Sequence, residues 1–424
     1  MHAPRPAPSG AAGAGSRYAP RAAFPALTWM HFVNDGLAAY LPGILPFLVV
    51  ARHVPLARAS ALMAVLLVGQ ALQPLAGVWA DRAGGRRLMI FGPVLAAAGT
   101  AALAFAPSYA SFAAALFLIG AGSTIYHPQA LSAARALGAR REGAWMSAFL
   151  IGGEIGRALG PLVASAVVVR FGLSRLWWLA LPVALTWPWL WARLPVLPAR
   201  RSAPAGAVRG GPRGPVLALA GFGAVRAAAM YGISTFVPLL WQERGGSLVA
   251  GAGLVTTLLG VGIAGNLTGG LVADRWGRRP VLLGSAGLTA MTLAWFLLTR
   301  GPWLWPALGA TGIALFSTLP VTTLAGQDMF RDNPALGSGI AIGFGNGLGA
   351  LLLLPLGLAA GRWGTAAPLW ILAGTMLCSL PWVGALAPRR GPPAARWGTR
   401  ARARHSAAGA ASDSASQASS TGTS

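Results

Sequence analysis

Twelve apolar runs, each near the length of a membrane-crossing helix, follow one another through this chain. They lie at roughly 24–50, 58–80, 88–106, 109–133, 144–169, 174–194, 215–241, 248–272, 280–299, 303–326, 336–361 and 366–387. A helix rises 1.5 Å per residue, so about 20 residues cross the roughly 30 Å hydrocarbon core of a bilayer. The expected fold is all-α: a membrane protein of twelve transmembrane helices. Composition agrees, because 55% of the 424 residues are hydrophobic and 10% charged, against about 25% charged for a soluble domain. The surface must face lipid.

A formal net charge of +24 raises the question of nucleic acid. The basic residues are all Arg and sit in short clusters between the apolar runs, not along one face or tail, so no nucleic-acid partner is expected. Membrane topology accounts for them better, since basic residues resist translocation and collect on the cytoplasmic side. One set of loops and tails holds most of the Arg; the other holds only Arg52, Arg58, Arg170, Arg175, Arg244, Arg300 and Arg362. Both termini and the central connector are therefore expected in the cytoplasm of a bacterial cell, with the helices in its inner membrane. Residues 1–23 and 388–424 read as disordered cytoplasmic tails, and 195–214, with Arg200, Arg201, Arg209 and Arg213 among Pro and Gly, as a cytoplasmic linker. The first apolar run is too long for the core of a signal peptide and reads as a retained span. Cys378 is alone, which excludes an internal disulfide and paired-thiol chemistry.

The linker divides the runs six and six, over 24–194 and 215–387. Gly77-x-x-x-Asp81-Arg82-x-Gly84-x-Arg86-Arg87 follows the second run and Gly270-x-x-x-Asp274-Arg275-x-Gly277-Arg278-Arg279 the eighth. Asp81 and Asp274 are 193 residues apart, as are Gly69 and Gly262, which points to a duplicated unit. The doubled pattern resembles the cytoplasmic signature of major facilitator transporters, which are built from two pseudo-symmetric six-helix bundles. The resemblance implies a cytoplasmic gate formed by Asp81, Arg82, Arg86, Arg87, Asp274, Arg275, Arg278, Arg279 and Asp328. The motif glycines would allow the close helix contacts this needs.

A narrower resemblance runs through His31-Phe-Val-Asn34-Asp35, Gly120-Ala-Gly122-Ser123-Thr-Ile-Tyr126-His127-Pro128 and Gly152-Gly153-x-x-Gly156-x-x-x-Gly160-Pro161. These segments look like the fosmidomycin-resistance branch of the superfamily, which is similar to proton-driven exporters of small antimicrobial compounds. Gln129 stands where that branch leads one to expect an acid, and Glu154 where it leads one to expect Asn. The last segment also resembles the fifth-helix signature of drug/proton antiporters, whose usual span-four Arg is absent between Leu116 and Gly120. Gly152, Gly156 and Gly160 are spaced for close helix packing, and Pro161 removes one backbone hydrogen bond.

A charge at mid-bilayer is costly unless it is paired or faces water. Asp35, Glu154 and Arg226 each fall about 10–11 residues from the cytoplasmic end of a run, a depth of roughly 15–16 Å. Asp35, Glu154 and His127 are the candidates for proton coupling, since approach and withdrawal of an Arg would release and load a proton on a carboxylate. Glu154 and Arg157, three apart on one helix face, could also merely neutralise each other. His31, Asn34, Tyr40, Tyr126, Arg226, Tyr231 and Asn346 are the substrate-binding candidates. Arg226 would either anchor an anionic group or serve as a permanent partner for Asp35. No phosphate-binding glycine loop, metal cluster or nucleophile elbow is present in the sequence, so neither enzymatic activity, a cofactor nor a metal is expected. The expected function is proton-coupled export by a monomer whose partners are a small-molecule substrate, protons and the lipid bilayer; the alternatives are proton-symport uptake of an organic acid or sugar, or a non-transporting sensor.

Overall fold

The computed structural model describes residues 20–68, 85–137, 142–194, 213–330, 337 and 339–386, and among them there is no strand. In chain order the helices are α1 (Pro20–Ala38), α2 (Leu41–Ala51), α3 (Leu56–Val68), α4 (Gly85–Ala104), α5 (Tyr109–Leu137), α6 (Glu142–Phe171), α7 (Leu181–Arg193), α8 (Arg213–Glu243), α9 (Leu248–Trp276), α10 (Arg278–Leu298), α11 (Leu304–Phe316), α12 (Thr318–Met329), α13 (Gly345–Leu351), α14 (Leu353–Trp363), α15 (Ala366–Cys378) and α16 (Leu380–Leu386). Helices dominate because each pairs its backbone donors and acceptors within one segment, as lipid demands.

Among the described residues ten helical segments are long and apolar enough to cross a membrane. Several are broken helices read as one span. Ala23–Ala51 joins α1 and α2 across Ala39 and Tyr40, where Pro42 in the first turn of α2 cannot continue the ladder of α1. Two of the twelve expected spans, the second and the sixth, are not among these ten. The second begins as α3, and its remainder, 69–84, lies outside the described residues. The sixth is a 3-10 helix, Leu173–Ala180, leading into α7; Gly172, at φ 83°, ends α6, and Pro182 sets the start of α7. The tails and linker expected at 1–23, 195–214 and 388–424 fall mostly or wholly outside the described residues.

Glycine sets where helices meet most closely. A Cβ on Gly156 would collide with the Phe32 carbonyl oxygen, one on Gly43 with the Pro161 carbonyl, and one on Gly160 would lie 2.7 Å from the Gly36 carbonyl. Together these press α1 and α2 onto α6. A similar seam joins α8 to α13, where a Cβ on Gly349 would stand 2.6 Å from the Ala227 methyl. The helices of 20–194 meet those of 213–386 through α2, α3 and α6 packed on α8, α9, α13 and α14. At that seam Thr256 donates to the Ala158 carbonyl at 2.7 Å.

The signature region departs from expectation in one detail. A Cβ on Gly270 would meet nothing within 4 Å, whereas one on the neighbouring Gly269 would run into the Ser317 carbonyl. The close contact to the next helix thus belongs to Gly269, because Gly270 points a turn-step away from α11. Gly270→Ala is therefore expected to leave stability within about 1 kcal/mol of the parent, the range of helix propensity alone; thermal melting in detergent checks this.

Candidate functional site

Asp35, near the end of α1, is the centre of a buried polar cluster. Its side chain is 2% exposed, and three helices supply its partners. From α6, Arg157 Nη2 donates to Oδ2 at 2.5 Å, while Nη1 donates to Glu154 Oε1 at 3.0 Å. From α5, His127 Nε2 lies 3.1 Å from Oδ1. From α1 itself, one turn earlier, His31 Nε2 stands 3.5 Å from Oδ2. Asn34 Nδ2 donates to Oδ1 at 3.1 Å and to Ser123 Oγ at 3.3 Å.

Local structure explains how these groups converge. His31 and Asp35 are four apart on α1, as are Ser123 and His127 on α5, so each pair shares one helix face. The Gly152-Gly153 step lets α6 come so close that a Cβ on Gly153 would strike the His31 ring. That ring stacks on Phe149 at 4.1 Å between centroids, and its Nδ1 lies 2.9 Å from the Phe149 carbonyl oxygen. His127 Nδ1 is likewise 2.7 Å from the Ser123 carbonyl oxygen. Tyr126 is fully buried, its hydroxyl donating to the Leu27 carbonyl at 3.3 Å, so it touches the cluster through its ring, 5.5 Å from that of His127.

Arg226 occupies a second, separate position. It is buried on α8, donates from Nη2 to Asn346 Oδ1 at 3.2 Å, and has no acceptor at Nε. No carboxylate among the described residues lies within ion-pair distance of it, so it is not the partner of Asp35; Arg157 is. Gly223 and Gly345, backbone against backbone at the α8–α13 crossing, hold Asn346 beside it. Asn346 follows a π-helical segment, Gly339–Phe344, a distortion common at functional sites. Tyr231 and Arg226 are within electrostatic reach of Arg157 and Glu154. Glu154 Oε2 and Asn34 Oδ1 are buried without a partner. Tyr40 stands at the α1–α2 break against Gly160, apart from both groups.

At the expected gate, Asp81 and Arg82 lie outside the described residues. Arg278 pairs with Asp328 at 2.7 Å, within the second half of the chain. Arg86 sits over the Trp191 ring at 5.0 Å, and Arg87, Asp274, Arg275 and Arg279 are exposed. The Arg278–Asp328 pair is solvated, and such pairs contribute about 0–1 kcal/mol. Asp328→Asn should accordingly move the melting midpoint by no more than that equivalent.

His31, Asp35 and His127 present ligand atoms within 4.8 Å of one another, the spread of a small cation site. A divalent metal there would lie against the Arg157 guanidinium, already 2.5 Å from the shared carboxylate. Arg157 was the participant least evident from sequence, because its i,i+3 spacing to Glu154 offers a complete local explanation; only the approach of α1 reveals its second partner.

A family model described as Major Facilitator Superfamily matches residues 27–351. The chain belongs to this superfamily. It is a multi-pass membrane transporter, not an enzyme. Among its relatives are an uncharacterized MFS-type transporter, YfnC, of Bacillus subtilis (strain 168), 26% identical over 342 residues, covering 77% of this chain and 83% of that one. The fosmidomycin resistance protein of Escherichia coli (strain K12) is 26% identical over 349 residues, covering 79% and 85%. Solved structures share the fold: the nucleoside transporter NupG at TM-score 0.67 and 14% identity, covering 87% of this chain and 99% of that one, and a peptide transporter, POT, in complex with sulfate, at TM-score 0.68 and 16% identity, covering 87% and 96%.

Proposed function

We propose that this facilitator exports a small amphiphilic compound in exchange for protons across the bacterial inner membrane. It works as a monomer whose two six-helix halves, 24–194 and 215–387, rock about a central site, with both termini in the cytoplasm and the Asp/Arg signature residues forming the cytoplasmic gate. The observation that carries the reading is Arg157, shared between Asp35 and Glu154 in a buried cluster that also holds His127. A buried ionic network of this kind in a membrane span marks a substrate or proton path. The likeness to the fosmidomycin resistance protein supports export.

Linkage defines how the cluster couples. A cationic amphiphile would compete with a proton for the buried negative cluster around Asp35, which is the condition for exchange. An anion would instead take Arg157 or Arg226 once a proton loosened the network, and proton and substrate would then bind together. This second reading, proton-symport uptake of an organic acid, draws its support from Arg226, buried without a carboxylate partner among the described residues.

Purified protein in liposomes, given an imposed pH gradient and a panel of a lipophilic amine, a carboxylate and a neutral nucleoside, tests the proposal. The expected result is outward-directed transport of the amine that follows the proton gradient. Transport indifferent to the gradient would sink the coupling, and gradient-driven uptake of the carboxylate alone would select symport. Asp35→Asn is expected to lower gradient-driven transport on the order of 100-fold, the scale of disabling a positioned proton-transfer site.

A further inference from the structure

Two imidazoles of the cluster have their tautomers fixed by the backbone. A carbonyl oxygen has no hydrogen to give, so a ring nitrogen within hydrogen-bond distance of one must be the donor. His127 Nδ1 is 2.7 Å from the Ser123 carbonyl oxygen and His31 Nδ1 is 2.9 Å from that of Phe149. In each neutral ring the lone pair therefore sits on Nε2. Both Nε2 atoms face Asp35, at 3.1 Å for His127 and 3.5 Å for His31. An ionised carboxylate is itself acceptor-only. Two acceptors 3.1 Å apart hold together only with a hydrogen between them, supplied either by a protonated ring or by a protonated carboxyl group.

The other partners of Asp35 decide between these. Arg157 donates to Oδ2 and Asn34 to Oδ1, and both contacts are strongest when the carboxylate is ionised. Glu154 shares the same guanidinium through Oε1. On the remaining sides, α8 brings Arg226 and Tyr231 within electrostatic reach of the Arg157 and Glu154 pair. The faces of α3 and α4 against α5 near this level present Leu66, Gly92 and Ala96, none of them ionisable.

We propose that His127 Nε2 is the proton-binding atom of this transporter, with Asp35 its permanently ionised counter-ion and His31 the second imidazole able to accept the same proton. This rests on the proton-coupled reading above and names the group that carries the proton. When the proton arrives, an imidazolium pairs with Asp35 and replaces part of the charge that Arg157 supplied. With Asp35 shared between the imidazolium and Arg157, as both contacts here show, the guanidinium is held less tightly and is available to Glu154 and the substrate; when the proton leaves, Arg157 alone neutralises Asp35. The step is a proton transfer only, from bulk water to ring nitrogen and back.

Infrared difference spectra of the full-length protein in lipid, stepped from about pH 8 to about pH 5 across the ordinary histidine range, test the assignment without any substrate. The expected wild-type spectrum gains an imidazolium ring signature and no carboxylic-acid carbonyl band. The spectrum of His127→Gln, whose new amide can still donate to Asp35 but cannot titrate, should lose the component of that signature from the Asp35-paired ring while the other histidines keep theirs, and His53→Gln should retain that component. A carboxylic-acid band removed by Asp35→Asn or Glu154→Gln would overturn the proposal, as would a signature lost in His31→Gln but kept in His127→Gln. Should His127→Gln fail to fold, the carboxyl region of the wild-type spectrum still decides. Transport that ignores a pH gradient while His127 titrates would defeat the coupled-transport reading and leave the proton site standing; gradient-driven transport with a carboxylic-acid band would do the reverse.

Discussion

Arg157→Ala is expected to abolish transport and to destabilise the helix assembly by about 2–3 kcal/mol. Removing one partner of a buried ion pair typically costs about 3–5 kcal/mol, because the other charge is left buried and unpaired. Here two carboxylates lose one cation, yet 30% of the Arg157 side chain is exposed, so water offsets part of the loss and the lower figure is appropriate. The functional loss should exceed the structural one. Asp35→Asn combined with Arg157→Gln removes opposite charges together, and it should recover much of the melting temperature while transport stays at background. Recovery of transport in that pair would show the network to be structural only. A single Arg157→Ala with wild-type gradient-driven flux would remove the central observation behind the proposed function.

Gly156→Leu has the other large expected effect. At this crossing even the first carbon of a side chain would overlap the Phe32 carbonyl oxygen, and backbone cannot yield as a flexible side chain does. Overpacking typically costs about 1–3 kcal/mol, and the clash with main chain places this variant at the upper end. The consequence for the site follows from geometry: α1 carries His31, Asn34 and Asp35, α6 carries Glu154 and Arg157, and any separation of the two stretches the 2.5 Å contact between Arg157 and Asp35. Lower melting in detergent together with lost transport is the expected outcome. Normal melting and normal transport would mean that α1 and α6 are not held at this distance. Gly270→Ala, at a position open on all sides within 4 Å, is the matched control.

Much of this could be read along the chain. The number and length of the apolar runs, the Arg-rich loops and the 193-residue repeat specify an all-helical membrane protein, because hydrophobic length and backbone satisfaction in lipid leave almost no other solution. Asp35, Glu154, His127 and Arg226 could be singled out because charges are so expensive in that setting. Which of them meet could not. Depth along a span is a one-dimensional quantity, and it places Arg226 level with Asp35; the rotation of α8 and its crossing with α13 turn Arg226 to Asn346 instead. Gly270 shows the same limit, since one residue further along a helix turns a side chain by about 100°, and the close contact falls to Gly269.

What the sequence by itself determined is the solvent, the helices and the small set of ionisable groups that had to be sheltered from lipid, since these follow from composition and local periodicity. The tertiary structure alone decided that one guanidinium serves two carboxylates and that two backbone carbonyls fix the protons on two imidazoles. The Arg157–Asp35 and His31–Phe149 contacts among them are distances of about 3 Å between atoms more than a hundred residues apart along the chain, fixed only where glycine lets one backbone lie against another.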